Sequence, residues 1–305
     1  MTKRDFIDIS LLSKKDVQTI LDLAHLLKRR KTDESRPLDN QTLISIFEKT
    51  STRTRVSFEV GIQQLGGHNV IITNKDSQLG KGETVEDTAK VLSRFGDIIM
   101  ARTNSHAMVE TLAQHADVPV INGLSDYSHP CQIMADIMTY EEHIGSIQGA
   151  KIAWVGDGNN VCHSWIHAAE KLGFTLHIAC PKKYMPCEQT VQAAINNGAD
   201  IVVSNDVKPV VDGADCVVAD TWVSMGDADV EERIENLKPY QVNDTVMSYA
   251  KDSAIFMHCL PAYRGNEMTA SVIDGKQSVV FDEAENRLHA QKAIMVWVKQ
   301  CEDKL

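Results

Sequence analysis

Several absences narrow the reading before any motif is considered. No apolar stretch approaches the roughly 18 residues of a membrane span; runs such as 98–101 and 255–257 have the length of buried strands. The first ten residues, MTKRDFIDIS, hold no apolar core ahead of a cleavage site, so no secretory signal is expected. The seven cysteines include no C-x-x-C pair. An odd number without such pairing points to reduced thiols in a cytoplasm, most of them small buried filler. H-E-x-x-H spacing is also missing, so no metal is expected. The nucleotide P-loop pattern G-x-x-x-x-G-K-[ST] does not occur. No repeat and no low-complexity tract interrupts the chain. Positive charge is in deficit, with 31 basic against 42 acidic residues and a net −11 with His neutral. A surface that acidic argues against nucleic acid as a partner, and any anion site must then be built locally.

What remains is an ordinary globular composition in 305 residues, too long for one compact core and suited to two α/β domains. A first helix starts at the cap Ser13, with Val17, Ile20, Leu21, Ala24 and Leu27 at helical spacing, and ends in the basic run 28–31. Strand patterns at 43–47, 70–72, 98–101 and 118–121 alternate with helical ones at 53–65, 85–94, 108–115 and 132–143. Gly145 and Gly149 punctuate the chain, and the alternation resumes. Strands are expected at 151–155, 175–179, 201–204, 216–219, 255–257 and 279–281, with helices at 161–172 and from 283 to the end. Two runs of βα units imply an α/β protein with two doubly wound parallel sheets. The expected divisions are 1–147, 148–282 and 283–305. Ligands in such sheets sit beyond the carboxyl ends of the strands, so the loops there carry the chemistry.

The first strand runs into Glu48-Lys49-Thr50-Ser51-Thr52-Arg53-Thr54-Arg55 and then a helix. Free N–H groups at a helix start favour an anion. Ser51, Thr52 and Thr54 can donate to phosphate oxygens, and Arg53 can grip them bidentately. Capping accounts for one hydroxyl, not for Ser-Thr-Arg-Thr-Arg together. Without a P-loop, the phosphate belongs to a small molecule.

FEKTSTRTRVSFE resembles the carbamoyl-phosphate motif of the aspartate/ornithine carbamoyltransferase family, and two further segments match in order. Arg102, after strand 98–101, matches the family's second essential arginine. His129-Pro130-Cys131-Gln132 matches the residues that contact the carbamoyl group. The resemblance covers almost the whole chain. It implies carbamoyl phosphate at Ser51, Thr52, Arg53, Thr54, Gln78, Arg102, His129, Gln132, Cys259, Leu260 and Arg287. For Arg287, in the last helix, this requires that helix to return to the first domain. It also places the loop holding Gln78 and Lys81 near a subunit boundary, in a homotrimer or a multiple of trimers. A carbonyl oxygen that gains charge needs fixed donors, and Arg102, His129 and Thr54 are suitable by type.

In the second half, Gly156-Asp157-Gly158-Asn159-Asn160-Val161 follows a strand, as a dinucleotide fingerprint does. Val161 stands where the third glycine belongs, and the next strand ends in Ala179-Cys180-Pro181 without a ribose-binding acid, so no nicotinamide cofactor is expected. The segment instead resembles the family's GDGNN loop, which implies that Asn160 contacts the acceptor. Asp220-Thr221-Trp222-Val223-Ser224-Met225-Gly226 resembles the D-x-x-x-S-M-G loop of the branch that uses ornithine. Asp220 would accept from the α-ammonium, with Ser224 and Met225 beside it. In His258-Cys259-Leu260-Pro261 the small, uncharged Cys259 leaves room for an aliphatic amine. His258 and Cys259 are adjacent on a strand, point to opposite faces and form no nucleophile pair. By resemblance Cys259 lies at the δ-amine; whether it acts as base or shapes the pocket stays open.

The expected activity is transfer of a carbamoyl group from carbamoyl phosphate to the δ-amine of L-ornithine, with Arg102, His129 and Cys259 as catalytic residues and no cofactor. The alternatives are a sister transferase using putrescine or an N-acylornithine, and an anion-binding module without turnover.

Overall fold

The computed structural model describes residues 3–29, 35–75, 82–223 and 229–305. Gln78, Lys81, Ser224 and Met225 lie outside the described residues.

The chain divides into two compact units, Met1–Ala135 with Glu285–Leu305, and Asp136–Ala284. In the first unit the strands are β1 (Thr42–Phe47), β2 (His68–Thr73), β3 (Ile98–Arg102) and β4 (Val120–Leu124), and the helices α1 (Lys14–Arg29), α2 (Thr52–Gln64), α3 (Val85–Leu92) and α4 (His106–His115). Helix α5 (Pro130–His143) follows, and the division falls inside it. The second unit contains β5 (Lys151–Val155), α6 (Asn160–Leu172), β6 (Thr175–Ala179), α7 (Glu188–Asn196), β7 (Asp200–Ser204), α8 (Val207–Val211), β8 (Cys216–Ala219), α9 (Val230–Leu237), α10 (Asp244–Met247), β9 (Ile255–His258) and α11 (Ala270–Ile273). Helix α12 (Val280–Val298) ends in the first unit, which is the expected return of the last helix.

Both sheets are parallel. The first has strand order β2-β1-β3-β4, the second β7-β6-β5-β8-β9. The chain therefore reverses direction across the sheet between β1 and β3 in one unit and between β5 and β8 in the other. Those switch points are where loops diverge and leave a crevice at the strand ends. The central strands are buried along nearly their full length, as parallel strands covered on both faces must be, whereas the edge strands β2 and β7 are partly exposed. One face of the first sheet sets Ile44, Ile46, Ile99 and Ala101 against Ala89 and Leu92 of α3 and Val109 and Leu112 of α4. In the second, Ala153, Val217 and Phe256 share a face packed by α8, α10 and α11. Each fully buried aliphatic side chain there contributes about 1.5–3 kcal/mol.

Two local expectations fail. Residues 279–281 are not a strand: Ser278 bridges Phe256, Val279 donates to the Phe256 carbonyl at 3.0 Å, and the chain then winds into α12 with the Glu283 N–H on Val279 O at 2.9 Å. A three-residue apolar run has no periodicity to separate strand from helix start. The last helix also stops short of the terminus, where Gln300 enters the left-handed region at φ 53° and the Cys301 N–H closes on Val296 O.

Candidate functional site

In the first unit, the loop after β1 delivers Ser51 as the N-cap of α2 with extended backbone, and its side chain makes no capping hydrogen bond. The helix start is thus left for another acceptor. Thr54, in the first turn of α2, is 1% exposed. Its Oγ1 accepts from Arg102 Nη1 at 3.0 Å and from Arg287 Nη2 at 3.3 Å. With both lone pairs taken, its own hydrogen is turned away from the two guanidiniums. Arg287, 3% exposed, also donates through Nη1 to Gln132 Oε1 at 2.5 Å. One hydroxyl thereby ties the first turn of α2, the end of β3 and helix α12, and Gln132 adds α5.

The register of β3 on β4 slips between Ala101 and Arg102, which re-aims the strand at the point where the guanidinium is needed. Glu48 fixes the same region: its Oε2 accepts the Asn104 N–H at 2.7 Å, and its own N–H donates to Arg102 O. His129 is placed by a buried polar turn. Asn122 of β4, fully buried, donates to Ile7 O at 2.9 Å and to Ser128 Oγ at 3.2 Å, and the His129 carbonyl accepts the Gln132 N–H as α5 begins. The imidazole is 4% exposed. Burial first, then Arg287, Arg102 and Arg53, hold its pKa well below the usual histidine range. His129 is therefore neutral at physiological pH, and the cationic field around it comes from three arginines in a chain whose net charge is −11.

In the second unit, the loops after β5, β8 and β9 converge. Asp220, 6% exposed, immediately follows β8. Its Oδ2 accepts from Asn159 Nδ2 at 2.7 Å, and its Oδ1 accepts from the Thr221 N–H at 2.7 Å and from the Cys259 thiol at 2.9 Å. Burial and the adjacent Asp220 raise the Cys259 thiol well above the usual range, so it is protonated and donates. Asn159 also caps α6, accepting from the Val161 and Cys162 N–H groups. Asn160 is the first residue of α6. Gly156 adopts φ 133°, and a Cβ on Gly158 would meet the Pro186 nitrogen at 2.2 Å. The two glycines thus serve a tight loop packed on the 184–187 segment rather than a pyrophosphate.

Leu260, at φ 55°, gives its N–H to His258 Nδ1 at 2.9 Å and precedes a cis proline. The His258 ring is fully buried beside Glu267, with Nε2 3.3 Å from Oε1. Asp220, His258 and Cys259 offer one ligand atom each within 4.8 Å. His258 Nδ1 accepts the Leu260 N–H, and the Cys259 thiol hydrogen goes to Asp220 Oδ1.

The sequence-expected residues thus fall into two groups. Ser51, Thr52, Arg53, Thr54, Arg102, His129, Gln132 and Arg287 gather in the first unit. Asn160, Asp220, Cys259 and Leu260 lie at strand ends of the second. Sequence reading missed Asn122, Asn159 and Arg233. Arg233 donates from Nε to Trp222 O at 2.8 Å, pairs with Asp157 and stacks on Tyr184, so α9 clamps the loops after β5 and β8. Only Asn159, in the N-cap position, carried a signal that could have flagged it.

Residues 4–142 match the family model described as aspartate/ornithine carbamoyltransferase, carbamoyl-P binding domain, and residues 148–298 match its Asp/Orn binding domain. An ornithine carbamoyltransferase of Nitrobacter winogradskyi is 54% identical over 297 residues, covering 96% of each chain. That of Caulobacter vibrioides is 54% identical over 301 residues, covering 96% of this chain and 97% of its own. Among solved structures, the ornithine carbamoyltransferase from Pyrococcus furiosus superposes with a TM-score of 0.92 at 47% identity, covering 97% of this chain and 98% of that one.

Proposed function

The chain belongs to the aspartate/ornithine carbamoyltransferase family, and from that premise we propose how its residues divide the reaction. The activity is that of an ornithine carbamoyltransferase: a carbamoyl group passes from carbamoyl phosphate to the δ-amine of L-ornithine, giving L-citrulline and phosphate. The first unit takes carbamoyl phosphate. Ser51, Thr52, Arg53 and Thr54 hold the phosphate at the uncapped start of α2, and Gln78 joins them. Arg102 spans phosphate and carbonyl. His129, Gln132 and Arg287 address the carbamoyl group. The observation that carries this reading is the buried Thr54 hydroxyl that gathers the guanidiniums of Arg102 and Arg287 in the first turn of α2, behind the uncapped Ser51. A neutral His129 can only donate or accept a hydrogen bond; it adds no charge of its own to the polarised carbonyl, and the guanidiniums supply that.

The second unit takes the amino acid. Asp220 accepts from the α-ammonium, Asn160, Ser224 and Met225 border the backbone of the amino acid, and Cys259 and Leu260 lie at the reacting end. Cys259 is a hydrogen-bond donor that fixes Asp220 and is not a base. The neutral δ-amine attacks the carbamoyl carbon, a tetrahedral intermediate forms, the C–O bond to phosphate breaks, and the proton shed by nitrogen leaves with the phosphate. Positioning and oxyanion stabilisation supply the rate.

Among the described residues no helix is long and apolar enough to cross a membrane. The seven free thiols support a cytoplasmic enzyme. The exposed apolar side chains Val56, Val70, Val91 and Phe95 of the first unit support burial in a homotrimer or a multiple of trimers. The reaction is tested by following phosphate release from carbamoyl phosphate with and without ornithine. Release that needs ornithine and matches citrulline one to one is expected. Release at the same rate without an amine would make the protein a phosphatase, and no release from folded protein that binds carbamoyl phosphate would make it a binding module.

A further inference from the structure

The mechanism above makes no use of two carboxylic acids that are almost entirely removed from solvent. Asp136 is 0% exposed and Glu283 1%. Both belong to the second unit, Asp136 on α5 and Glu283 in the first turn of α12. Asp136 lies among Met134, Ala135, Ile137 and Met138, all fully buried. The two side chains hydrogen-bond each other, and Glu283 Oε2 accepts the backbone N–H of His258 at 2.8 Å. A hydrogen bond between two carboxyl groups needs a proton between them, and two adjacent buried carboxylates could not both stay ionised.

The group they hold is the end of β9. His258 is pinned by its N–H to Glu283, and its ring nitrogen Nδ1 accepts the Leu260 N–H at 2.9 Å. Between them Cys259 gives its thiol hydrogen to Asp220. Leu260 sits at φ 55°, a conformation that a leucine keeps only where its neighbours over-determine it. The Glu283 and His258 bonds are that over-determination.

We propose that Asp136 and Glu283 share one proton and act as a positioning pair for the acceptor half-site, with Glu283 fixing the His258 amide and, through it, the turn that presents Cys259 to Asp220. The pair rests on the reading of this half-site as the ornithine end of the reaction. The titratable groups that face it are His258 and Cys259 at the end of β9, and Asp220 and Cys216 at the two ends of β8. Burial first, then Asp136, raises Glu283 well above the carboxylate range, in keeping with a held proton. Its ionisation would add a negative charge beside Asp220 and Cys259 and break the bond to Asp136.

The sign for stability follows. A carboxyl whose folded pKa is raised takes up a proton that the unfolded chain has already lost, so its contribution falls as pH rises from the unfolded value of about 4.5 towards the folded one. Glu283→Gln keeps a carbonyl for the His258 N–H and an N–H for Asp136 but cannot ionise. Glu283→Leu keeps the volume and removes the acceptor.

Wild type, E283Q and E283L are compared by ornithine kcat/KM, by carbamoyl phosphate Kd measured without ornithine, and by thermal unfolding from pH 5 to 8. The proposal expects E283Q within about threefold of wild type, and E283L lower by about tenfold or more, as for a buried amide left unpaired, in kcat/KM for ornithine with the carbamoyl phosphate Kd within about twofold. It also expects the Tm of E283Q to gain on wild type as pH rises. E283Q falling as far as E283L, E283L matching wild type, or a Tm difference independent of pH would each overturn it. A wild type that makes no citrulline would instead sink the ornithine reading, while the Tm comparison would still decide whether a proton is shared.

Discussion

Cys259 Sγ lies 2.9 Å from Asp220 Oδ1, and the thiol is the donor. A thiol beside a buried carboxylate is held in its protonated form, because a thiolate there would meet a like charge in a site stripped of water. That relationship supports a donor role for Cys259, where the sequence left open whether it acts as a base or shapes the pocket. The thiol helps to fix Asp220, whose other oxygen is held by Asn159.

Cys259→Ser keeps a donor of similar length. Its ornithine kcat/KM is expected to stay within about tenfold of wild type, the scale of one altered hydrogen bond, with the rising limb of the pH profile unmoved because that limb belongs to the amine. Steady-state kinetics from pH 6 to 10 check this. Loss of the limb in the serine variant would restore the thiolate as base.

Thr54→Val removes the hydroxyl shared by Arg102 and Arg287 while keeping the shape. Hydrogen bonds to charged groups contribute about 1.5–3 kcal/mol, so the carbamoyl phosphate Kd should rise by about ten- to a hundredfold. Calorimetric titration without ornithine reads the first half-site alone.

His129 carries a prediction in pH. Its folded pKa is depressed, first by burial and then by Arg287, Arg102 and Arg53. Below the unfolded value of 6.5 the unfolded chain binds a proton that the folded chain refuses. Stability is therefore full above that value and lost as pH falls. His129→Gln should lose less Tm than wild type between pH 7 and 5. Removal of one oxyanion donor is worth about a hundred- to a thousandfold in kcat, so the same variant should be active but slow at every pH.

Gly158→Ala tests the loop after β5. The added Cβ would fall 2.2 Å from the Pro186 nitrogen, so the loop or the 184–187 segment must move. Overpacking typically costs about 1–3 kcal/mol. Thermal unfolding should show that loss, with ornithine KM raised and the carbamoyl phosphate Kd unchanged.

The parallel sheets were legible because their strands are continuous apolar runs separated by helical spacing. Residues 175–179 and 216–219, for instance, are strands with the expected bounds. The short helices α8, α10 and α11 were not, since four or five residues carry too little periodicity and their burial is set by the sheet beneath. The Ser-Thr-Arg-Thr-Arg segment and the two arginines distant from it were readable by type, but their meeting at the Thr54 hydroxyl is a product of the fold. Asp136 had a signal that went unused: an acid inside the apolar stretch 133–138. Glu283 had none, because in the first turn of a helix an acid is also what the dipole favours. Arg233 looked like any arginine on a charged helix, and only the carbonyl of Trp222 and the carboxylate of Asp157 give it a task.

The central claim is that this chain carbamoylates ornithine in preference to related amines. Purified protein is given carbamoyl phosphate with equimolar ornithine, putrescine, N-acetylornithine and aspartate, and the ureido products are separated and quantified by mass. The account predicts citrulline as the dominant product, with the other products at trace level, because N-acetylornithine lacks the α-ammonium assigned to Asp220 and putrescine lacks the α-carboxylate. Carbamoyl-putrescine or carbamoyl-acetylornithine in equal or greater amount would contradict it and reassign the acceptor half-site, leaving the carbamoyl phosphate half in place.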